Sequence, residues 1–498
     1  MHHRARGWLS ALLAGAVLVC FVAPGAPAAE KLTLQSGDHI CLIGNTLADR
    51  MQHDGWLETL VQSRFPDKRL VFRNLGYAAD EVANRPREQN FGDPDKHLTH
   101  SQADVVMAMF GYNESFAGEA GVANFKKQLA DFVDHTLAQK YNGKSAPRVV
   151  LLSPIAHEDL KSPDLPDGKE NNARLKLYTQ AIADVAAEKN VPFVDLFHPT
   201  QKLYAAAKAP LTINGIHLNT DGNRAVATVI DESLFGPSGA HAESQLARLR
   251  EAILDKNSHW FNRYRVTDGY NVYGGRSGTG NYDGQTNFTI SARELEIVDV
   301  KTANRDKRIW AVAAGGDLQV DDSNAPAPLT LKTNRPGANP DGSHPFLSGE
   351  AAIDKMTIHD GMKVNLFASE ETFPKLINPV QSSVDADGRL WVAAWPTYPH
   401  WDPANRIYTD KLLILPDEDG DGKADKCIVF ADNLHNPTGF EFWGGGVLVA
   451  QAPDILFLKD TDGDDKADVQ LRILNGIDSA DTHHTANAFV IGTDGGLY

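Results

Sequence analysis

The sequence contains few cysteines and fewer basic than acidic side chains. Only three of the 498 residues are Cys, which excludes a small domain held together by disulfides. We expect Cys20 to be removed with a cleaved leader, and Cys41 and Cys427 to be buried free thiols. No Cys-x-x-Cys-His occurs, so no c-type haem is attached to this chain. Since the net charge is −17 and an acidic protein repels phosphate backbones, we expect no nucleic-acid partner.

Long hydrophobic runs are absent after the first 29 residues. Residues 1–29 combine two early arginines, an apolar stretch and a group of small residues, which is typical of a secretory signal peptide. We therefore predict an exported protein, periplasmic or extracellular. Because no later run is long enough to cross a bilayer, we expect no stable membrane span in the mature chain. A retained anchor is the alternative.

Residues 30 to about 235 alternate short apolar runs with amphipathic stretches. Five runs, such as 39–44 and 104–110, are continuous and rich in β-branched residues, which indicates a parallel sheet covered on both faces. We predict a three-layer α/β domain at 30–262, with a helix over 242–261 that packs back on it. Ligands bind at the carboxyl ends of such strands, so the residues after each run are the candidate site.

The second half of the chain has a different pattern. Residues 263–351 are rich in Gly, Asn and Pro and predict an irregular extension or linker, with one strand-like piece at 308–316. From residue 352 short alternating strands follow, and a propeller needs about four blades to close. We therefore predict an all-β, partial β-propeller over 352–498 and a longer native protein. Three related sequence segments support the prediction of propeller blades, at 387–393, 445–450 and 494–498.

The polar residues after these runs occur in a recognisable order. Thr46, in Gly-Asn-Thr, follows the first run, Gly76 the second and Asn113 the third, and Asn214 precedes His217 by three residues. This order resembles the SGNH (GDSL) hydrolase family over about two-fifths of the chain. The resemblance implies a flavodoxin-like parallel sheet and hydrolysis of an ester by a hydroxyl nucleophile.

Carried over by position, the resemblance implies a role for each of these residues. Thr46 is the nucleophile, Gly76 and Asn113 donate to the oxyanion, and His217 is the base. The sequence departs from the family twice. The serine has become Thr46, whose γ-methyl restricts its rotamer. The orienting aspartate has become Asn214, which has no charge to stabilise an imidazolium.

Three interpretations of this site stay open. The first is an active esterase, acting on an acylated polysaccharide, in which Glu114 or Glu158 replaces the missing carboxylate. The second is a degenerate domain that binds glycans, and the third is a scaffold without a ligand. His157 follows the fourth run, where it either faces the cleft or is a hydrogen-bonded structural residue.

Two nearly identical acidic loops occupy 417–425 and 460–468. Aspartates at positions 1, 3, 5 and 9 of each loop converge on one point, and Ca²⁺ prefers oxygen ligands. Position 12 is apolar in both, which excludes an EF-hand, and position 6 is Gly422 or Asp465, both of which tolerate a left-handed turn. A solvated acidic turn is the alternative. The predicted calcium ligands are Asp417, Asp419, Asp421, Asp425, Asp460, Asp462, Asp464 and Asp468.

Residues 352–498 also resemble the "membrane-bound dehydrogenase" propeller of large secreted bacterial proteins, on phrases at 367–401 and 410–426. That family is related to sugar dehydrogenases that use pyrroloquinoline quinone. The resemblance implies an alternative function, in which the propeller oxidises a sugar. It implies that pyrroloquinoline quinone or haem would be bound only by a longer chain. Three histidines are candidates for lining the channel of such a propeller: His435, His483 and His484. The alternative is that they are histidines of turns with no role in a channel.

Overall fold

The structure is a computed structural model of the chain. It describes residues 31–85, 91–239, 241–265, 269–280, 284–330, 336–398, 409–479, 481 and 483–498. The predicted signal peptide lies outside these residues. Within them, none of the helices has the length and apolar character needed to cross a membrane.

A five-stranded parallel sheet forms the centre of the first half. Its strands lie in the order β2-β1-β3-β4-β5, so the predicted parallel sheet is confirmed, and this order is the flavodoxin-like one. Ligands bind such sheets where the strand order reverses, here between β1 and β3. The strands are β1 (His39–Gly44), β2 (Val71–Asn74), β3 (Val105–Met109), β4 (Arg148–Leu152) and β5 (Phe193–Val194).

Helices cover both faces of this sheet, as predicted. In β3, Val105 and Met107 pack into one apolar cluster with α1, α2 and α7, whereas Val106 and Ala108 pack into the other with α3, α4 and α5. This alternation follows from the two-residue period of a strand. The helices are α1 (Thr46–Asp54), α2 (Trp56–Arg64), α3 (Pro94–His100), α4 (Gly118–Leu137), α5 (Lys169–Lys189), α6 (Phe197–Ala206), α7 (Thr220–Phe235) and α8 (Glu243–Arg265).

A long helix follows in the region predicted to be irregular. After the short α9 (Gly269–Val272), α10 covers Asn287–Ala313, so the strand predicted over 308–316 is wrong. Ile309 and Val312 pack against α8 in one apolar cluster, and their spacing of three residues is that of a helix face. A short apolar run cannot be assigned to helix or strand from its pattern alone.

Two four-stranded antiparallel sheets form the second half, after the short α11 (Gly349–Ile353). Strands that are consecutive in sequence are neighbours in each sheet, and the sheets share an apolar cluster that includes Trp391 and Phe440. The all-β prediction is confirmed, while closure into a propeller stays a prediction. The strands are β6 (Pro379–Val384), β7 (Leu390–Ala394), β8 (Asp410–Leu415), β9 (Ile428–Leu434), β10 (Gly439–Trp443), β11 (Gly446–Gln451), β12 (Asp454–Lys459) and β13 (Val469–Asn475).

The two cysteines among the described residues are free thiols, as predicted. Cys41 is fully buried in β1, and this burial raises the pKa of its thiol to about 12. Cys427 is only half-buried, which is less than the sequence predicts. Neither cysteine contributes to the cavity described below.

Candidate active site

A cavity of about 210 Å³ lies at the carboxyl ends of β1 and β3. Thr46, Asn113 and His217 all line it, so the structure brings three of the predicted site residues to one place. Most of the remaining wall is apolar, and the cavity therefore suits a small, largely apolar group next to the polar residues. The apolar wall includes Leu47, Met109, Phe110, Ile155, Ile216 and Leu218.

Thr46 is the first residue of α1. Asn45 caps this nine-residue helix, because its side-chain oxygen accepts a hydrogen bond from the Leu47 N–H at 3.2 Å. The N–H groups of a first helical turn have no partner within the helix, and the dipole makes this end positive. Negative charge that develops beside the Thr46 hydroxyl is therefore stabilised.

Two glycines permit close contacts at the carboxyl ends of the strands, one between β1 and β3 and one between the loop after β2 and α1. Gly44 has a φ of +143°, and a Cβ at this position would lie 2.2 Å from the Met109 carbonyl oxygen. A Cβ on Gly76 would lie 2.5 Å from the Asp49 nitrogen. The Gly76 N–H donates to Oδ1 of Asn74 at 2.8 Å, and Gly76 is not among the described residues that line the cavity. Its role as an oxyanion donor stays a prediction.

Asn113 lines the cavity, where a residue predicted to donate to the oxyanion has to lie. Its Nδ2 lies 3.4 Å from the Asp80 carbonyl oxygen, a long contact that leaves the amide free to donate to a substrate. Ala78 and Ala79, from the loop after β2, line the same wall. Sequence reasoning missed both, because a small apolar side chain carries no chemical signal.

Asn214 lies directly behind His217. Its Nδ2 is 3.0 Å from Nδ1 of the imidazole, and its Oδ1 accepts from the backbone N–H groups of Ile216 at 3.3 Å and His217 at 3.0 Å. Because a backbone N–H can only donate, these two contacts fix which end of the amide is oxygen. Nδ2 therefore donates to Nδ1, and the neutral imidazole carries its proton on Nε2.

The surroundings of His217 oppose its protonation. Burial, together with the positive charge of Arg50, lowers the pKa of this histidine to about 3. The imidazole is therefore neutral at pH 7, and no carboxylate of the described chain forms a hydrogen bond with it. Sequence reasoning missed Arg50, which also lines the cavity, although it follows Thr46 by four residues and so shares its helix face.

Neither carboxylate that was considered as a substitute contacts this histidine. Glu114 accepts from the Gly111 N–H at 2.8 Å and thereby holds the loop after β3. Glu158 accepts from the Thr212 hydroxyl at 2.7 Å, which fixes the loop that carries His217. Both carboxylates have a structural role, and the hypothesis that one of them orients the imidazole is wrong.

His157 is a structural residue and lies outside the cavity lining. Its Nδ1 is 3.0 Å from Nδ2 of Asn171, and burial lowers its pKa. A Cβ on Gly215 would lie 2.5 Å from Nε2 of this ring. His157 therefore supports the loop of residues 212–217 from behind.

The two acidic loops connect β8 to β9 and β12 to β13. Position 6 has the predicted left-handed backbone in both, with a φ of +85° at Gly422 and +61° at Asp465. Three carboxylates in each loop have oxygen atoms within 4.8 Å of one another. These sets are Asp417, Asp419 and Asp425 in the first loop, and Asp460, Asp462 and Asp464 in the second.

Two predicted ligands lie outside these sets. Asp421 accepts from the Lys423 N–H at 2.8 Å. Both carboxylate oxygens of Asp468 accept from the Thr461 hydroxyl, at 2.9 and 2.8 Å. Each carboxylate therefore stabilises the turn of its own loop.

The three candidate channel histidines have different surroundings in the structure. His435 is buried, with 2% of its surface exposed, and burial lowers its pKa well below the usual value. His483 and His484 lie side by side, and their Nδ1 atoms are 3.4 and 3.2 Å from the carboxylate of Asp481. Sequence reasoning missed Asp481, which also pairs with Arg276 at 2.8 Å.

Two family models match parts of the chain. Residues 43–225, which contain all five predicted catalytic residues, match the GDSL-like lipase/acylhydrolase family. Residues 348–498 match a domain of unknown function, DUF7133. Residues 43–225 are therefore similar to a GDSL-like acylhydrolase domain, while the dehydrogenase propeller stays a prediction.

Among curated proteins no match was found. Among solved structures, LAE5, an alpha/beta hydrolase enzyme from the metagenome of Lake Arreo, is 17% identical over 41% of this chain and 99% of that chain, with a TM-score of 0.34. Axe2, an acetylxylan esterase from Geobacillus stearothermophilus, is 16% identical over 41% of this chain and 97% of that chain, with a TM-score of 0.33. BT4096, a gut microbial diltiazem-metabolizing enzyme, is 18% identical over 42% of this chain and 49% of that chain, with a TM-score of 0.33.

Proposed function

We propose that the chain is an exported ester hydrolase that acts on an acyl group carried by a polysaccharide, with Thr46 as the nucleophile and His217 as the base. The observation that carries the proposal is the convergence of Thr46, Asn113 and His217 on one cavity at the carboxyl ends of β1 and β3. The match of residues 43–225 to an acylhydrolase family supports it.

The reaction proceeds by acyl transfer to the threonine. The Thr46 Oγ1 attacks the ester carbonyl while Nε2 of His217 takes the hydroxyl proton. The N–H groups at the start of α1 and the Asn113 amide stabilise the oxyanion. The sugar alcohol leaves with the proton from the imidazolium. Water, deprotonated by the same nitrogen, then releases the acid and regenerates the hydroxyl.

The tautomer of His217 limits this reaction. Nε2 accepts a proton only when Nδ1 carries one, yet Asn214 donates to Nδ1 at 3.0 Å and so favours the opposite tautomer. We therefore propose that the wild-type enzyme is slow. In serine proteases the corresponding change from Asp to Asn lowers kcat about 10⁴-fold.

We predict that His217→Ala lowers kcat/KM for 4-nitrophenyl acetate and for acetylated xylan by about 10²-fold. This is the lower end of what a general base contributes, because the imidazole starts in the unfavourable tautomer. The control is His198→Ala, which removes an exposed histidine of α6 that pairs with Asp195 and should leave the rate unchanged. Equal rates for the wild type and His217→Ala rule out the hydrolase.

A second function is favoured by the same contact between Asn214 and His217. A site held in the wrong tautomer binds an acylated glycan without turning it over. This alternative predicts saturable binding of acetylated xylan to the wild type and no released acetate. Calorimetry and an acetate assay on the same samples separate the two functions.

We also propose that the two acidic loops bind Ca²⁺. The support is the close approach of three carboxylates in each loop, with Asp417 and Asp460 in corresponding positions. Extracellular calcium modules have Kd values of about 10⁻⁴–10⁻³ M.

We predict that about 10 mM Ca²⁺ stabilises the chain by roughly 1.4–2.7 kcal/mol per site through preferential binding to the folded state. The measurement is the thermal midpoint with Ca²⁺ and with chelator, in the wild type and in Asp417→Ala/Asp460→Ala. The control is Asp387→Ala, at an exposed aspartate outside both loops. A wild type whose midpoint does not respond to Ca²⁺ contradicts the proposal.

A further inference from the structure

The last residues of β13 form part of the candidate active site, although they belong to the second half of the chain. Leu474 and Asn475 line the cavity that contains Thr46 and His217. We call residues 472–476 the β13 wall. Its position relative to α1 is fixed by three kinds of contact.

The first contacts are hydrogen bonds to Arg50. The guanidinium Nη2 donates to the carbonyl oxygen of Arg472 at 2.7 Å and to that of Ile473 at 3.4 Å. Arg50 has only 8% of its surface exposed. A buried guanidinium needs acceptors, and the backbone of the β13 wall provides them.

The second contact joins a side chain of the wall to the neighbouring residue of α1. Nδ2 of Asn475 donates to Oδ2 of Asp49 at 2.5 Å. Asp49 is also buried, and burial, with the nearby charge of Asp454, raises its pKa to about 6. The amide therefore satisfies a carboxyl group that has little access to water.

The third contact is a close approach of backbones. Gly476 has a φ of +92°, and a Cβ at this position would lie 2.8 Å from Cβ of Ala78. Ala78 itself lines the cavity. The wall therefore touches both α1 and the loop after β2, and it leaves little freedom for Leu474 to move away.

Leu474 is the apolar residue that the wall adds to the cavity. Half of its surface, 50%, is exposed, which leaves it free to contact a bound group. An engineered apolar cavity of about 150 Å³ binds benzene, so the cavity of about 210 Å³ has room for an acyl chain of roughly four to six carbons.

We propose that the β13 wall is the acyl-chain subsite of the cavity and that Leu474 contacts the chain, so that esters of acyl groups longer than acetyl are preferred over acetyl esters. This inference rests on the proposed function, because it assumes that the cavity holds the acyl part of an ester. The second half of the chain is then part of the hydrolase site and determines its chain-length preference.

Binding of amides tests the inference without requiring turnover. Calorimetry with acetamide, butyramide and hexanamide should show that the full-length wild type binds hexanamide at least about tenfold more tightly than acetamide, since hexanamide has four more methylenes and each one buried in an apolar pocket strengthens binding several-fold. Leu474→Ala should reduce this ratio several-fold. Leu474→Trp, which narrows the acyl-chain end of the cavity, should weaken hexanamide binding about tenfold and so lower the same ratio.

The matched control is Leu471→Ala. Leu471 lies on the same strand, is 36% exposed and does not line the cavity, so its removal should leave the amide ratio unchanged. The inference is overturned if both Leu474 variants keep the wild-type ratio. Because amide binding does not depend on His217 as a base, this result is independent of whether the wild type hydrolyses esters.

Discussion

Asn214→Asp should raise kcat for ester hydrolysis by about 10³–10⁴-fold, the reverse of the loss that the opposite substitution causes in serine proteases. Aspartate is isosteric with asparagine, so one carboxylate oxygen keeps the bonds from the Ile216 and His217 N–H groups. The other oxygen replaces the Nδ2 atom, 3.0 Å from Nδ1. Since a carboxylate only accepts, Nδ1 must then carry the proton and Nε2 becomes the base.

The same substitution should change the dependence of the rate on pH. In the wild type the pKa of His217 is lowered to about 3, so kcat/KM should stay flat as the pH falls from 8 to about 4. A carboxylate beside Nδ1 stabilises the imidazolium and raises this pKa. The base is active only when neutral, so the variant should lose activity as the pH falls below the raised pKa. Measurement of kcat/KM as a function of pH for both proteins tests this difference.

Two further variants identify the cause of the gain. Thr46→Ala in the Asn214→Asp background should abolish it, because the nucleophile is then missing. Asn214→Ala removes the unfavourable donor without adding a carboxylate, and it should change the rate by about tenfold at most. If Asn214→Asp is no faster than the wild type, the site does not use His217 as a base and the binding function is favoured.

The first half of the fold was predictable because its strands are buried on both faces. A parallel strand such as β3 has apolar residues in succession, and this continuous pattern is visible without any tertiary information. The last turns of α10 also look apolar in sequence. Their assignment to a helix depends on packing against Leu249 and Ile253 of α8. This tertiary contact is not visible in the local sequence pattern.

The candidate site was predictable in its residues but less so in its contacts. The order of motifs predicts Thr46, which follows β1, and His217, which lies in the loop between α6 and α7. It does not show that the Gly76 N–H is engaged by Asn74, because this depends on a side-chain rotamer. Nor does it show Leu474, which reaches the cavity only through the packing of the second half on α1.

A buried ion pair provides the second large effect that we expect. Nζ of Lys256 in α8 lies 2.8 Å from Oε2 of Glu58 in α2, and the two side chains are 1% and 6% exposed. Nζ also lies 3.2 Å from the Phe72 carbonyl oxygen in β2. The pair therefore holds α8 to the edge of the sheet, next to the helix that carries the nucleophile.

We predict that Lys256→Met lowers the free energy of unfolding by about 3–5 kcal/mol, because it leaves a buried carboxylate without a cation. Burial raises the pKa of Glu58 and Lys256 opposes this rise, so the pKa rises further in the variant. The destabilisation is then largest above this raised pKa and decreases as the pH falls and the carboxyl group takes up a proton. Urea unfolding at pH 7 and pH 5 measures both effects.

The double variant Glu58→Gln/Lys256→Met separates the lost charge pair from lost packing. It removes both charges and keeps similar volumes, so it should recover most of the stability at pH 7. Lys126→Met, which breaks an ion pair with Asp184 whose side chains are 38% and 43% exposed, should cost at most about 1 kcal/mol. If Lys256→Met is as stable as this surface variant, the buried carboxylate is solvated or protonated, and the pair does not hold α8 in place.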